Sequence, residues 1–217
     1  MSRVTLIGGH GKVALLAAPL LRADGHEVTS VVRNPDHVAD VEAAGATALV
    51  LDVEHASTDE IAEAVRGTDV LVWSAGAGGG SPERTYAVDR DAAIRSMDAA
   101  ATAGVGRYVM VSYFGAGRDH GVPEDNGFHA YAEAKTAADE HLEGTDLDWT
   151  ILRPSGLTLE AATGHIESGD GVVAGNVSRD NVAHVIRAVV RHPESAARRI
   201  VAFNDGATPI DEVVTAS

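Results

Sequence analysis

The chain has 217 residues, 45% of them hydrophobic and 23% charged, and contains no cysteine. That length is about one and a half typical domains and is enough to bury a core, while the missing cysteines exclude disulfide scaffolds, thiolate metal sites and cysteine nucleophiles. Lys+Arg 17 against Asp+Glu 32 leaves a net charge of −15, a field that repels phosphate backbones and anionic membranes, so the expected partner is a small molecule, with no nucleic acid and no membrane.

Met1-Ser2-Arg3 leads into only four apolar residues, Val4 to Ile7, before a glycine cluster. That run is too short for a signal-peptide core, and no run reaches the length of a membrane span. The expectation is a cytoplasmic protein. Short apolar runs then alternate with helical patterns. Val4–Ile7 precedes a helical stretch from Gly11 to Ala23, which Pro19 is expected to kink or break. Val28–Val32 precedes a helix near His37–Ala44, and Leu49–Leu51 precedes one from Thr58 to Arg66. Val70–Trp73 leads into an Ala-rich helical segment from Thr85 to Ala103. Tyr108–Ser112, a helix over Tyr131–Leu142 and Trp149–Leu152 follow.

The strand runs are nearly continuous in apolar residues, as strands buried on both faces are. Strand–helix alternation at this spacing predicts an α/β protein, a Rossmann-like doubly wound parallel sheet. Gly25, Gly45, Gly67, Gly104 and Gly144 each follow a helical segment, where a helix-ending glycine is expected. Beyond Pro154 the pattern loosens through Gly164–Gly175, then resumes with a helix at Arg179–Arg191 and a strand near Ile200–Phe203. Residues 1–217 are read as a single domain, of which 155–217 form a small C-terminal, substrate-side portion. No internal repeat or long linker is visible.

The first strand runs straight into Gly8-Gly9-His10-Gly11-Lys12-Val13-Ala14. Read as Gly-x-Gly-x-x-Ala or Gly-x-x-Gly-x-x-Ala, it puts bare backbone at a strand-to-helix turn, where a pyrophosphate can approach the helix N-terminus. A tight turn without ligand has the same spacing. At the end of the second strand, Val31-Val32-Arg33-Asn34 holds no acid for a ribose 2′-hydroxyl. Arg33 suits a 2′-phosphate, so NADP(H) is favoured over NAD(H). Asp52, with Val53 beside it, reads equally as an acceptor for the adenine amino group and as a simple loop aspartate. Ser74-Ala75-Gly76 ends the fourth strand, and its backbone would pass the adenosine ribose unless it is a plain glycine-rich loop.

Tyr131 and Lys135 stand four apart on a predicted helix and so share a face. A neighbouring lysine would lower the phenol pKa and hold the nicotinamide ribose. Tyr131 then acts as general acid toward a carbonyl or as base toward an alcohol. Ser112, ending the fifth strand, would hydrogen-bond the reacting oxygen. Only two lysines occur in the chain, Lys12 in the glycine loop and Lys135; every other basic residue is arginine. The alternative is a surface Tyr–Lys contact on an amphipathic helix. The ten histidines show no metal-ligand spacing, and no metal is expected. His129 and Tyr113 are further pocket candidates.

Together, Gly8–Ala14, Val109-Met110-Val111-Ser112, Tyr131–Lys135, Asp148–Pro154 and Val177–Ala183 resemble the short-chain dehydrogenase/reductase superfamily. The chain is most similar to its atypical, NmrA-like branch, often labelled NAD(P)H-binding or sugar-epimerase-like. The resemblance implies the serine–tyrosine–lysine set Ser112, Tyr131 and Lys135. It also implies that backbone from Pro154 and Ser155 to Leu157 faces the nicotinamide. Its implied functions are an NADP(H)-dependent oxidoreductase of a small carbonyl or alcohol, a non-catalytic NADP(H) sensor, and a sugar epimerase or dehydratase. The short C-terminal portion leaves little room for a nucleotide-sugar, and the intact Tyr131/Lys135 pair favours the first.

Overall fold

The computed structural model describes residues 1–79 and 81–216. The glycine-loop half begins with strand β1 (Arg3–Ile7), helix α1 (Lys12–Ala23) and β2 (Glu27–Val32). A 3₁₀ turn at Pro35–His37 leads into α2 (Val38–Ala43), then β3 (Thr47–Val50), α3 (Thr58–Ala64) and β4 (Val70–Trp73). The chain continues through α4 (Pro82–Thr85), a π-helical segment at Tyr86–Ala92, α5 (Ala93–Ala103) and β5 (Arg107–Val111). Helix α6 (His129–Glu143) and β6 (Asp148–Pro154) follow. The last third holds β7 (Gly156–Thr158), β8 (His165–Ser168), β9 (Asn176–Ser178), α7 (Arg179–Arg191), α8 (Pro193–Ala196), β10 (Arg199–Asp205), β11 (Thr208–Pro209) and α9 (Ile210–Thr215).

Among the described residues, nine strands form one sheet in the order β11-β8-β10-β6-β5-β4-β1-β2-β3. From β3 to β10 all neighbours are parallel, and β8 runs antiparallel between β10 and β11. The chain winds outward from β1 through β2 and β3, then returns to β4 and winds the other way. That reversal opens a crevice at the carboxyl ends of β1 and β4, the usual ligand position in such sheets. Beyond Pro154, β8, β10 and β11 extend the main sheet, while β7 and β9 pair apart as a two-stranded piece.

Two cores explain why the strands read as unbroken apolar runs. Alternate residues point to opposite faces. Val4, Leu6, Val72, Val109 and Leu152 pack on one side with α1 and α7; Ile7, Leu71, Trp73, Met110 and Ile151 pack on the other with α3, α5 and α6. Local caps fix helix starts. Ser57 and Glu60 form a reciprocal capping box on α3, and the Ser178 hydroxyl accepts the Asn181 amide at 2.9 Å on α7.

Three expectations need correction. Helix α1 does not break at Pro19 but runs on to Ala23. Pro19 is exposed, and the opposite face (Val13, Ala14, Ala17, Ala18 and Leu21) is buried, so packing outweighs one lost backbone bond. The Ala-rich segment is not one α-helix, because the π-helical stretch separates α4 from α5. Gly144 ends α6 with φ −79°, not in the left-handed region, and its amide bonds back to Glu140 and His141.

Candidate functional site

A cavity of about 800 Å³ lies at the carboxyl ends of β1, β2, β3, β4 and β5. Gly8, Gly9, His10, Gly11 and Val13 form its floor, and Arg33, Asp52, Val53 and Glu54 its far end. Ser74, Ala75 and Gly76 form the middle; Ser112, Phe128, Tyr131 and Leu157 close the near end. Residues scattered from 8 to 157 in sequence thus meet where the winding reverses.

The glycine loop is shaped for close approach. Gly8 has φ +86°, and a Cβ there would lie 2.6 Å from the Ala75 amide nitrogen. Any side chain would therefore break the contact between the β1 and β4 loops. Gly11 caps α1 without a side-chain hydrogen bond, so the first-turn amides of α1 keep their hydrogens unpaired within the helix. An uncapped helix start on a cavity floor suits a pyrophosphate. The bare helix start and the length of this lining fit a nicotinamide dinucleotide, for which Gly8–Val13 would be the residues that hold the phosphates.

Other sequence candidates lie elsewhere. Lys12, Lys135, Pro154 and Ser155 do not line the cavity. Lys12 is exposed. Ser155 is buried and hydrogen-bonds Asn204 and the Gly175 amide. His129 bonds the Val122 carbonyl at 2.8 Å. The Tyr113 ring packs against Tyr131 at 5.5 Å and Phe128 at 5.2 Å between centroids.

Ser112, Tyr131 and Lys135 converge, but not as an isolated triad. Lys135 is buried, and its ammonium donates to the Val111 carbonyl at 2.9 Å and the Met110 sulfur at 3.3 Å. Ser112 donates its hydroxyl hydrogen to Asp139 Oδ2 at 2.8 Å, and Arg153 Nε donates to the same oxygen at 3.1 Å. Asp139 Oδ1 is buried without a partner. A second buried carboxylate, Asp89 on the π-helical segment, accepts the Ala77 amide at 2.9 Å and lines the cavity.

This environment reverses one expectation. The Tyr131 phenol is not made more acidic by Lys135. Burial, then Asp89 and Asp139, push its pKa above the ordinary phenol value. Burial pulls the Lys135 ammonium down, against the two carboxylates, and raises both Asp89 and Asp139. Tyr131 is therefore a fully protonated hydrogen-bond donor throughout the neutral range.

Sequence reading missed Asp89, Asp139, Glu54 and Arg84. Asp139 had a signal: it is eight residues beyond Tyr131, on the stripe that carries Lys135. The others meet the site only through the fold. Among the described residues, no three His, Cys, Asp or Glu side chains converge to hold a metal ion. No described helix is long and apolar enough to cross a membrane.

Fold and cavity together define a dinucleotide-binding Rossmann protein. The chain belongs to the NAD(P)H-binding family, whose pattern matches residues 8–193. It is 35% identical to the uncharacterized sugar epimerase YhfK of Bacillus subtilis, over 98% of each chain. A solved Bacillus halodurans structure, provisionally described as an NAD-dependent epimerase/dehydratase, is 30% identical, covers 99% of both chains and superposes with a TM-score of 0.90. The anaerobilin reductase ChuY of Escherichia coli O157:H7 is 25% identical, with 94% of this chain and 97% of ChuY covered and a TM-score of 0.77. The family is oxidoreductase- and epimerase-like.

Proposed function

We propose that the protein is a cytoplasmic, NADP(H)-dependent reductase of small carbonyl compounds, of the short-chain dehydrogenase/reductase type. The observation that carries this reading is a protonated Tyr131 phenol opening on the same cavity as the glycine loop. A fold neighbour, ChuY, is itself a reductase. The net charge of −15 supports a small-molecule substrate over nucleic acid.

When bound, the reduced nicotinamide supplies a hydride. The substrate carbonyl oxygen accepts from the Tyr131 hydroxyl, which gives up its proton as the carbonyl carbon is reduced. Ser112 plays a different part from a second donor. Its hydrogen is engaged by Asp139, so it presents a lone pair and accepts from the alcohol product. Lys135 fixes the middle of α6 against β5 through Val111 and offsets the charge of Asp89 and Asp139. With its pKa raised, Tyr131 stays protonated: the proton that reduction needs is in place, the phenolate that alcohol oxidation needs is scarce, and the phenol is a weaker acid than a free tyrosine.

The test is NADPH consumption on a panel of carbonyl compounds. Wild type is expected to turn over, and Tyr131→Phe to lose about 10²–10⁴ in rate with NADPH affinity unchanged. Equal turnover in the two would remove Tyr131 from the chemistry. Tight NADPH binding with no turnover on any substrate would favour a sensor. The name of the Bacillus subtilis relative supports a second reading, sugar-nucleotide epimerisation.

A further inference from the structure

We propose that the half of the cavity beside Tyr131 takes a neutral, planar aromatic carbonyl compound and discriminates against sugar nucleotides. The chemistry rests on the reductase reading above; the binding preference stands on the walls of the cavity.

Those walls are apolar and aromatic. Val111, Phe128, Tyr131 and Leu157 line this end. Tyr113, Phe128 and Tyr131 form a cluster, with centroids 5.1 Å apart for Phe128–Tyr131 and tilted or edge-on rings throughout. Phe128 is 44% exposed and Leu157 40% exposed, although both are large and apolar. Neither belongs to the two cores. Large apolar side chains left open on a cavity wall mark a surface that a ligand covers. Tilted rings about 5 Å apart offer a further flat ring both a face and an edge.

The polar groups at this end suit one oxygen, not a sugar. Ser112 and Tyr131 bring hydroxyls to this lining, and Asp89, close enough to act on Tyr131, brings a carboxyl rather than a cation. A sugar diphosphate also needs cations, and the nearby ones are engaged. Lys135 bonds Val111 and Met110; Arg153 bonds Asp139; Arg179 donates to the Leu157 and Thr158 carbonyls, both at 2.9 Å. The free-standing charges beside this end, Asp119, Glu124 and Asp125, are acidic and exposed on the loop leading to Phe128. They repel a diphosphate and a carboxylate alike. The cationic groups of the cavity, Arg33 and Arg84, stand at the opposite end on Glu54.

Calorimetry on the protein saturated with NADP⁺ separates binding from turnover, since no hydride is available. Naphthaldehyde is expected to bind at least tenfold tighter than its carboxylate-bearing analogue and than uridine diphosphate glucose. Phe128→Ala is expected to weaken naphthaldehyde about two- to tenfold, the range of one aromatic pair, and to leave NADP⁺ affinity unchanged. The variant keeps the fold, because the exposed Phe128 side chain makes no cap on α6. Tighter binding of uridine diphosphate glucose overturns the proposal, as does naphthaldehyde affinity that ignores Phe128→Ala. Naphthaldehyde binding without NADPH-dependent reduction would sink the reductase reading and leave this one standing. If NADP⁺ fails to bind, the cofactor assignment fails, and the same titrations on the unloaded protein still decide the substrate class.

Discussion

Arg33 meets its expected ligand position already engaged. Its guanidinium lies 3.1 Å from Glu54 Oε2, and Arg84 Nε approaches the same oxygen at 3.4 Å. Two cations share one carboxylate, so one positive charge is left over for a phosphate. Glu54 is mostly buried and Arg33 half exposed, which lets Arg33 swing while Glu54 stays. If the 2′-phosphate takes Arg33, removing that guanidinium deletes a charge-assisted bond of roughly 1.5–3 kcal/mol. Arg33→Ala is then expected to lower the ratio of NADPH to NADH affinity roughly ten- to a hundredfold. Glu54→Gln should raise that ratio by freeing both arginines. Titration of each variant with both cofactors checks the pair; a wild type that binds NADH as tightly as NADPH rejects the assignment. Arg33 was legible because it follows a strand at a fixed distance from the glycines. Glu54 and Arg84 were not, since an ion pair between a β3 loop and α4 has no spacing in sequence.

Among the elements, α6 and α1 show what periodicity does and does not reveal. Helix α6 puts Tyr131, Lys135 and Asp139 on one stripe, and its first two members were readable from spacing alone. Asp139 continues that stripe, and only the fold shows it buried against Ser112 and Arg153. Asp89 was hidden for another reason. It sits in an Ala-rich run that reads as an ordinary helix, and the π-helical turns at Tyr86–Ala92 carry it into the cavity. Such bulges often occur at functional sites and leave no composition signature. Pro19 was legible as a misfit, but its outcome was decided by tertiary packing. It removes the bond to the Leu15 carbonyl without contributing burial. Restoring the amide gains up to about 3 kcal/mol, and the freer unfolded chain takes back about 0.4–1 kcal/mol. Pro19→Ala is therefore expected to stabilise the protein by about 1–2 kcal/mol in urea unfolding, with cofactor affinity unchanged. A destabilised variant would mean that the ring packs on something it does not touch in this fold.

At the scale of the whole molecule, the ends of the chain are tied together across one face of the sheet. Asp24 ends α1, and Arg187 lies 163 residues later on α7; their side chains form a bidentate pair, with Arg191 close behind. Both partners are mostly buried, which reduces solvent screening. The contact matters more than a surface pair because α1 carries the glycine loop and α7 braces it. The hydrogen bond to Arg187 holds the Asp24 carboxyl below the usual carboxylate range, with burial opposing and the charges of Arg187 and Arg191 assisting. A carboxyl lowered in the fold binds fewer protons there than in the unfolded chain. Its stabilisation is complete above about pH 4, the ordinary carboxylate value, and disappears as pH falls through the folded value. Asp24→Asn is expected to cost about 1–2 kcal/mol at pH 7 and progressively less below pH 4. Urea is the right denaturant, because guanidinium salt would screen the pair in both proteins. Unfolding curves of wild type and Asp24→Asn from pH 7 to pH 3 should converge as the acid limb is entered. A gap that stays constant over that range would show that the carboxylate's charge contributes nothing and that shape alone holds α1 to α7.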